Sequence, residues 1–177
     1  MRRAFNWIIR AATFFAVAIA VASSPGDAPA TTEKATVGPE TNLPLPRYVS
    51  LKSNKANIRR GPGLTHRIDW VFLRKGMPLE VVAEHGHWRK VRDVDHATGW
   101  VHHALLRGRR SAVVIVDQAV LRGKPEPDAK QVAHAEPGVI FTVERCAAAW
   151  CEVRRDRFEG WVRKAEIWGV GREEIFD

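Results

Sequence analysis

The sequence predicts an all-β protein made of one small unit used twice, and three observations carry that reading. The first is repetition. Gly99-Trp100-Val101 recurs 61 residues later as Gly160-Trp161-Val162, and its surroundings recur with it. Trp88-Arg89-Lys90-Val91-Arg92 is echoed by Trp150-Cys151-Glu152-Val153-Arg154, Lys75-Gly76 by Pro137-Gly138, and Ala56-Asn57-Ile58-Arg59 by Ala119-Val120-Leu121-Arg122. The offset drifts only from 63 to 62 to 61, and self-similarity at a fixed period marks a repeated structural unit. The second observation is that the apolar runs are short and broken by Gly, Pro and Asp, which argues for a small barrel in each unit. The third is the lack of any sustained helical period, beyond one 3₁₀ turn near Ala104–Leu106.

Taken in order, the chain opens with a segment that reads as a secretory signal over residues 1–22, or as far as 30. Arg2, Arg3 and Arg10 supply a positive start. Ala11–Ala22 is apolar but, at 12 residues, shorter than a spanning helix requires. Ala20-Val21-Ala22 before Ser23, or Ala28-Pro29-Ala30 before Thr31, gives small residues at cleavage spacing. A periplasmic or secreted protein is expected, with no stable membrane insertion after cleavage. Residues 23–46 are rich in Pro, Thr and Ala with little to bury, and read as a disordered spacer.

The first unit is expected over 47–110, with strand-like runs at 48–51, 56–59, 69–73, 77–84, 88–92 and 99–102. The second is expected over 111–177 with the same order. Units of about 60 residues bury a modest share of their surface and are marginal alone. The linker Arg107-Gly108-Arg109-Arg110 is short, so the two should pack together. Charge is uneven between them. Residues 47–110 hold 14 basic and 5 acidic residues (+9), whereas 111–177 hold 10 and 12 (−2). An anionic partner for the first unit follows from simple attraction.

Ala56-Asn57-Ile58-Arg59 followed by Gly61-Pro62-Gly63, then a Gly-initiated apolar strand, then His87-Trp88-Arg89-Lys90-Val91-Arg92, then Gly99-Trp100-Val101, resembles the bacterial SH3 (SH3b) domain family. The match is good over 47–110 and looser over 111–169, where Arg122-Gly123-Lys124-Pro125 lacks the Gly-Pro-Gly turn. The resemblance implies two tandem five-stranded SH3-like barrels with a binding role and no enzymatic activity. By the same resemblance, Trp88 and Trp100 line a ligand groove with Leu105 as a third position, and Trp150, Trp161 and Glu166 occupy the matching places in the second unit. Strand alternation agrees: Trp88 and Lys90 share one face and Val91 takes the other, and Trp100 is opposed in parity to Val101. Two readings of the tryptophans stand, as groove residues or as cover for the barrel. The basic residues Arg59, Arg60, Arg89 and Lys90 complete the expected binding set. The chain's single tyrosine, Tyr48, argues against recognition of proline-rich peptides in the eukaryotic SH3 manner.

Cys146 and Cys151, the only cysteines, flank a turn and are expected to form a disulfide. Their counterparts in the first unit are Glu84 and Arg89, an opposite-charge pair in the same cross-strand position. His85, His87, His96, His102 and His103 cluster in sequence, but they fall at turns and the second unit keeps none, so neither metal nor cofactor is expected. The chain has no Gly-x-Ser-x-Gly, no His-Glu-x-x-His and no Gly-rich phosphate loop. The expected partner is a cell-envelope component and not a nucleic acid, with peptidoglycan the first reading. A protein–protein adaptor that tethers or regulates a wall hydrolase or another envelope protein is the alternative.

Overall fold

The computed structural model describes residues 36–177, and the expected signal segment and the first part of the spacer lie outside the described residues. A two-stranded hairpin comes first, β1 (Thr36–Val37) and β2 (Pro44–Leu45). Seven strands then build the first barrel: β3 (Arg47–Leu51), β4 (Ala56–Arg59), β5 (Ile68–Phe72), β6 (Pro78–His85), β7 (Trp88–Arg92), β8 (Thr98–His102) and β9 (Leu106–Arg107). The second repeats them as β10 (Ser111–Val114), β11 (Ala119–Arg122), β12 (Gln131–Ala135), β13 (Ile140–Cys146), β14 (Trp150–Arg155), β15 (Phe158–Arg163) and β16 (Ile167–Trp168). Sheet order is β5-β4-β8-β7-β6-β3-β9 in one and β12-β11-β15-β14-β13-β10-β16 in the other. The two orders are identical once the offset is applied, so the sequence repeat is a repeat of topology.

Five strands per barrel were expected and seven segments are present in each sheet. The short last segments, β9 and β16, follow a single 3₁₀ turn and pair back onto the first strand of their own barrel (Leu51 opposite Leu106, Val114 opposite Ile167). Two residues leave no periodic signature, which is why the sequence does not announce them. Inward positions alternate as the pleat requires. Leu51, Ile58, Leu79, Val81, Val91 and Val101 fill one core; Ala112, Leu121, Phe141, Val143, Val153 and Val162 fill the other.

The repeated Gly-Trp-Val tripeptide has a physical cause. A Cβ on Gly99 would stand 2.4 Å from Ile58 Cγ2 and 3.0 Å from the Arg59 carbonyl; on Gly160 it would stand 2.9 Å from the Arg122 carbonyl. Each barrel closes where these two backbones cross, so glycine is required there. The tryptophan that follows faces outward and the valine faces the core.

The spacer departs from expectation. From Thr36 onward it is ordered, with Thr36 opposite Leu45 and Val37 opposite Pro44. Leu45, 5% exposed, is inserted in the core of the first barrel. Val37 and Leu43 stay exposed, so Leu45 is the one large apolar side chain the segment buries, and its order comes from a single polar anchor described below.

The barrels pack on one another. Tyr48 meets Trp168 edge-to-face with ring centroids 5.3 Å apart. Arg110, which donates to the Tyr48 carbonyl at 3.2 Å, pairs with Glu174, and Arg74 reaches across to the Gly138 carbonyl at 2.8 Å. Burial, with the charge of Glu80 adding to it, pushes the Tyr48 phenol up to about 12, so it remains neutral in the interface. Gly169 sits in this contact at φ +123°, where a Cβ would lie 2.3 Å from the Ser111 carbonyl and 2.9 Å from Pro78 Cβ. Residues 36–177 are therefore expected to unfold in one calorimetric transition. Gly169→Ala is expected to cost about 2 kcal/mol or more through backbone strain and overlap, and to begin separating that transition into two.

Candidate functional site

β7 and β8 run antiparallel with Trp88 opposite His102 and Lys90 opposite Trp100. Val91 and Val101 are fully buried on the inner face, which leaves the Trp88 and Trp100 rings on the outer one. Around Trp88 the surface forms a groove of about 290 Å³, completed by Lys55, Asn57, Arg59, Leu64, His102 and Leu105. That is a small recess by the standard of ligand sites. It has an apolar base of Trp88, Leu64 and Leu105, with polar groups at Lys55, Asn57 and Arg59.

Each wall has a local cause. The His102 ring packs edge-to-face on Trp88 at 5.6 Å, and its Nδ1 accepts a hydrogen bond from the Ala104 amide at 3.2 Å. This caps the 3₁₀ turn His103–Leu105 and delivers Leu105 to the groove. Arg59 donates to the carbonyls of Leu64 and His66 at 2.9 and 2.7 Å, which folds the β4–β5 loop into the opposite wall. Arg122 makes the equivalent tie to Ala129 in the second barrel, at 3.0 Å. Arg59 is thus a loop tie as well as a groove residue.

Of the residues expected from sequence, Trp88, Leu105 and Arg59 come together, whereas Trp100 and Lys90 lie on the same outer face beside the groove. Trp100 pairs with Arg59 across β4–β8 and meets the His85 ring edge-to-face at 6.4 Å. Arg60 is turned away onto Asp69 at 3.3 Å. Arg89 is a correction: it is 7% exposed, on the inner parity of β7, and its guanidinium is spent on Glu84 and on the carbonyls of Gly86 and Trp88. Lys55, Asn57, Leu64 and His102 were missed. Asn57 and His102 share parity with Arg59 and Trp100, so alternation had the information; Lys55 and Leu64 depend on loop paths that alternation does not specify.

In the second barrel an arginine lies over each of the matching indoles. Trp150 is 8% exposed beneath the Arg163 guanidinium, 5.2 Å from the ring centre, and Trp161 lies under Arg145 at 5.1 Å. Arg145 is also paired with Glu152 at 2.7 Å. It stands opposite Glu152 just as Ala83 stands opposite Lys90, so the first barrel lacks this covering side chain. Glu166 takes the place of Leu105.

His87, His102 and His103 stack beside the groove with ring centroids 4.9 to 5.8 Å apart. Burial, then the neighbouring His102, Arg89 and His87, lowers the pKa of His103 and so favours its neutral form. Among the described residues no set of His, Cys, Asp or Glu is arranged to hold a metal ion.

Behind the groove lies the anchor. Glu84 stands opposite Arg89 on β6–β7, as Cys146 stands opposite Cys151 on β13–β14. The cysteines form the expected disulfide, with Cα atoms 4.1 Å apart. The Glu84 side chain is fully buried. Its carboxylate accepts from the Glu40 and Thr41 amides, each at 3.0 Å, from the Thr41 hydroxyl at 2.8 Å and from Arg47 at 2.6 Å, with Arg89 at 3.3 Å. Burial alone would raise its pKa, but the bonds from Thr41, Arg47 and the Glu40 amide outweigh that and hold it at about 2.

Two barrels of SH3 topology, with an aromatic groove on one, define a class of small binding module. The sequence profile described as the bacterial SH3 domain matches residues 52–108 and again 116–169, and the chain belongs to that family. No curated protein matches the chain. Among solved structures it is similar to NlpC2 and NlpC1 of Trichomonas vaginalis, each at 11% identity and TM-score 0.33, covering 69% and 75% of this chain and 47% and 49% of theirs. It is also similar to an NlpC/P60 family protein of Bacillus cereus, at 13% identity and TM-score 0.31, covering 68% of this chain and 55% of that one. The chain spans about half the length of the solved structures it matches.

Two outcomes are expected at the paired staples. Glu84 titrates near 2 folded and near 4.5 when unperturbed, so its contribution is complete above pH 4.5 and lost as pH falls toward 2. The thermal midpoint of the wild-type chain should fall more steeply across that window than that of Glu84→Gln. At neutral pH the substitution should cost about 3 kcal/mol, because Arg47 and Arg89 lose a buried partner. Equal slopes would show that Glu84 is not the group responsible. For the disulfide, alkylation of the native unreduced protein should label no thiol, and reduction should cost about 2 kcal/mol, given the short loop it closes.

Proposed function

We propose that the chain is a non-catalytic, exported binding protein whose first barrel recognises a cell-envelope component, peptidoglycan first, through the Trp88 groove. The observation that carries this is the contrast between the two barrels at one structural position. Trp88 is left partly exposed at the base of a recess with polar groups along its walls, whereas Trp150 is buried beneath Arg163. A partly exposed indole flanked by polar side chains is the usual composition of a ligand-contacting surface. The +9 charge of residues 47–110 adds attraction to an anionic wall, screened beyond about 8 Å at physiological salt. Membership of the bacterial SH3 family supports a binding role.

The second reading is a protein–protein adaptor, and a separate observation favours it. β5 ends its sheet, and Ile68, Trp70 and Val71 on it are 41%, 54% and 43% exposed. An apolar sheet edge of this kind accepts an added strand from a partner protein.

Sedimentation with purified, protein-free sacculi separates the two, since an adaptor would remain in the supernatant. On the first reading Trp88→Ala should weaken binding about tenfold or more, and Trp150→Ala much less. Trp88 lies outside the buried core, so the variant should keep the wild-type fold by circular dichroism. A folded Trp88→Ala protein that sediments normally would end the groove reading.

A further inference from the structure

We propose that the cleft between the two barrels is a second, separate binding site for a multiply charged phosphoryl group. The cleft measures about 600 Å³ and is walled by Arg74, Lys75 and Arg107 from the first barrel and Arg154 and Arg155 from the second, with Asp156 as the carboxylate in its lining. Five cations around one recess repel one another, and the fold holds the four arginines there by specific contacts. Arg74 is fixed by the Gly138 carbonyl at 2.8 Å, and Arg107 by the Ser50 hydroxyl at 3.0 Å. Arg155 donates to the Ile140 carbonyl at 3.3 Å and lies 3.7 Å from Asp156, while Arg154 is paired with Glu144. A guanidinium carries five N–H donors, so each is positioned by a part of its donor set and keeps the remainder for a ligand.

An independent observation comes from Ser111. It lines the same cleft, is 5% exposed, and its Oγ is buried with no hydrogen-bond partner. Buried hydroxyls are nearly always bonded, and rotation of the Ser111 side chain toward the cleft would give its hydroxyl the acceptor it lacks on an oxyanion seated among the cations. The choice of phosphoryl over carboxylate follows from charge and geometry. One guanidinium satisfies a carboxylate, whereas several forks and a lysine point charge match an anion with three or more oxygens spread over a tetrahedron. The site draws on both barrels, so neither would hold the ligand alone.

The test uses the full chain and inorganic pyrophosphate, followed by calorimetry at fixed ionic strength. Lys75→Gln with Arg155→Gln should weaken binding about tenfold or more, as expected for losing charge-assisted hydrogen bonds. Lys124→Gln with Lys130→Gln removes the same charge from an exposed loop of the second barrel and should change affinity by less than about twofold. Trp88→Ala should leave pyrophosphate binding intact, which separates this site from the groove. Ser111→Ala should weaken binding without lowering the thermal midpoint measured in the absence of pyrophosphate, a combination that a purely structural serine would not give. Phosphatidylcholine vesicles containing phosphatidic acid form the second arm. Co-sedimentation that the Lys75/Arg155 variant loses assigns the site to lipid-borne phosphate, and pyrophosphate binding without vesicle binding assigns it to free ligands. No pyrophosphate binding, or equal losses in the cleft and loop variants, would overturn the proposal.

Discussion

The Glu84 carboxylate is the constraint on which the rest of the first barrel depends. A buried charge survives only if its bonds repay its dehydration, and this one is met by donors from three separate parts of the chain. Two amides and a hydroxyl come from residues 40 and 41, one guanidinium from the start of β3 and another from β7. Those bonds are what order a segment whose composition promises disorder. They also take Arg89 off the outer face and place it under the β6–β7 hairpin that carries Trp88. The Glu40 side chain adds a bond to the Gly86 amide at 2.8 Å, tying the same hairpin from outside. One carboxylate therefore links an N-terminal extension, a barrel corner and the edge of the groove.

The repeat, the strand order and the parity of each tryptophan were legible because they rest on period-two alternation and on glycines that the backbone crossing demands. The cysteine pair was legible because its counterpart, Glu84 with Arg89, occupies the same cross-strand position. The ordered hairpin was not legible, since its stability resides in a residue more than forty positions away in sequence. Arg89 was misplaced for a related reason: its charge argued for the surface, although its parity with Val91 already pointed inward. Lys55 and Leu64 belong to loops whose course is set by the Arg59 tie, a long side chain reaching carbonyls that no local pattern identifies.

The two barrels share a topology and differ in what lies over their aromatic faces. In the second, Arg145 and Arg163 each rest on an indole, and Glu152 holds Arg145 in place. In the first, Ala83 and His102 stand at those positions, and Trp88 and Trp100 remain accessible. The two copies of one topology thus differ in whether a guanidinium lies over the aromatic face. The second barrel adds the interface contact through Trp168 and a C-terminal tail whose Phe176 bonds back to Cys146 at 2.8 Å.

The hairpin over Glu84 also has a mechanical meaning. Pulling on the chain upstream of Thr36 would load the bonds to this one carboxylate before it loaded the ladder of the barrel. If those bonds gave way, residues 36–46 would pay out at roughly 3.3–3.6 Å each, a few nanometres of slack. Leu45 would be drawn out of the core with them, leaving Val81, Val91 and Val101 packed beneath. The extension would thus yield in series with the barrel, and because its release strips Glu84 of its amide and hydroxyl donors beneath the β6–β7 hairpin, it would be felt at the strand that carries Trp88.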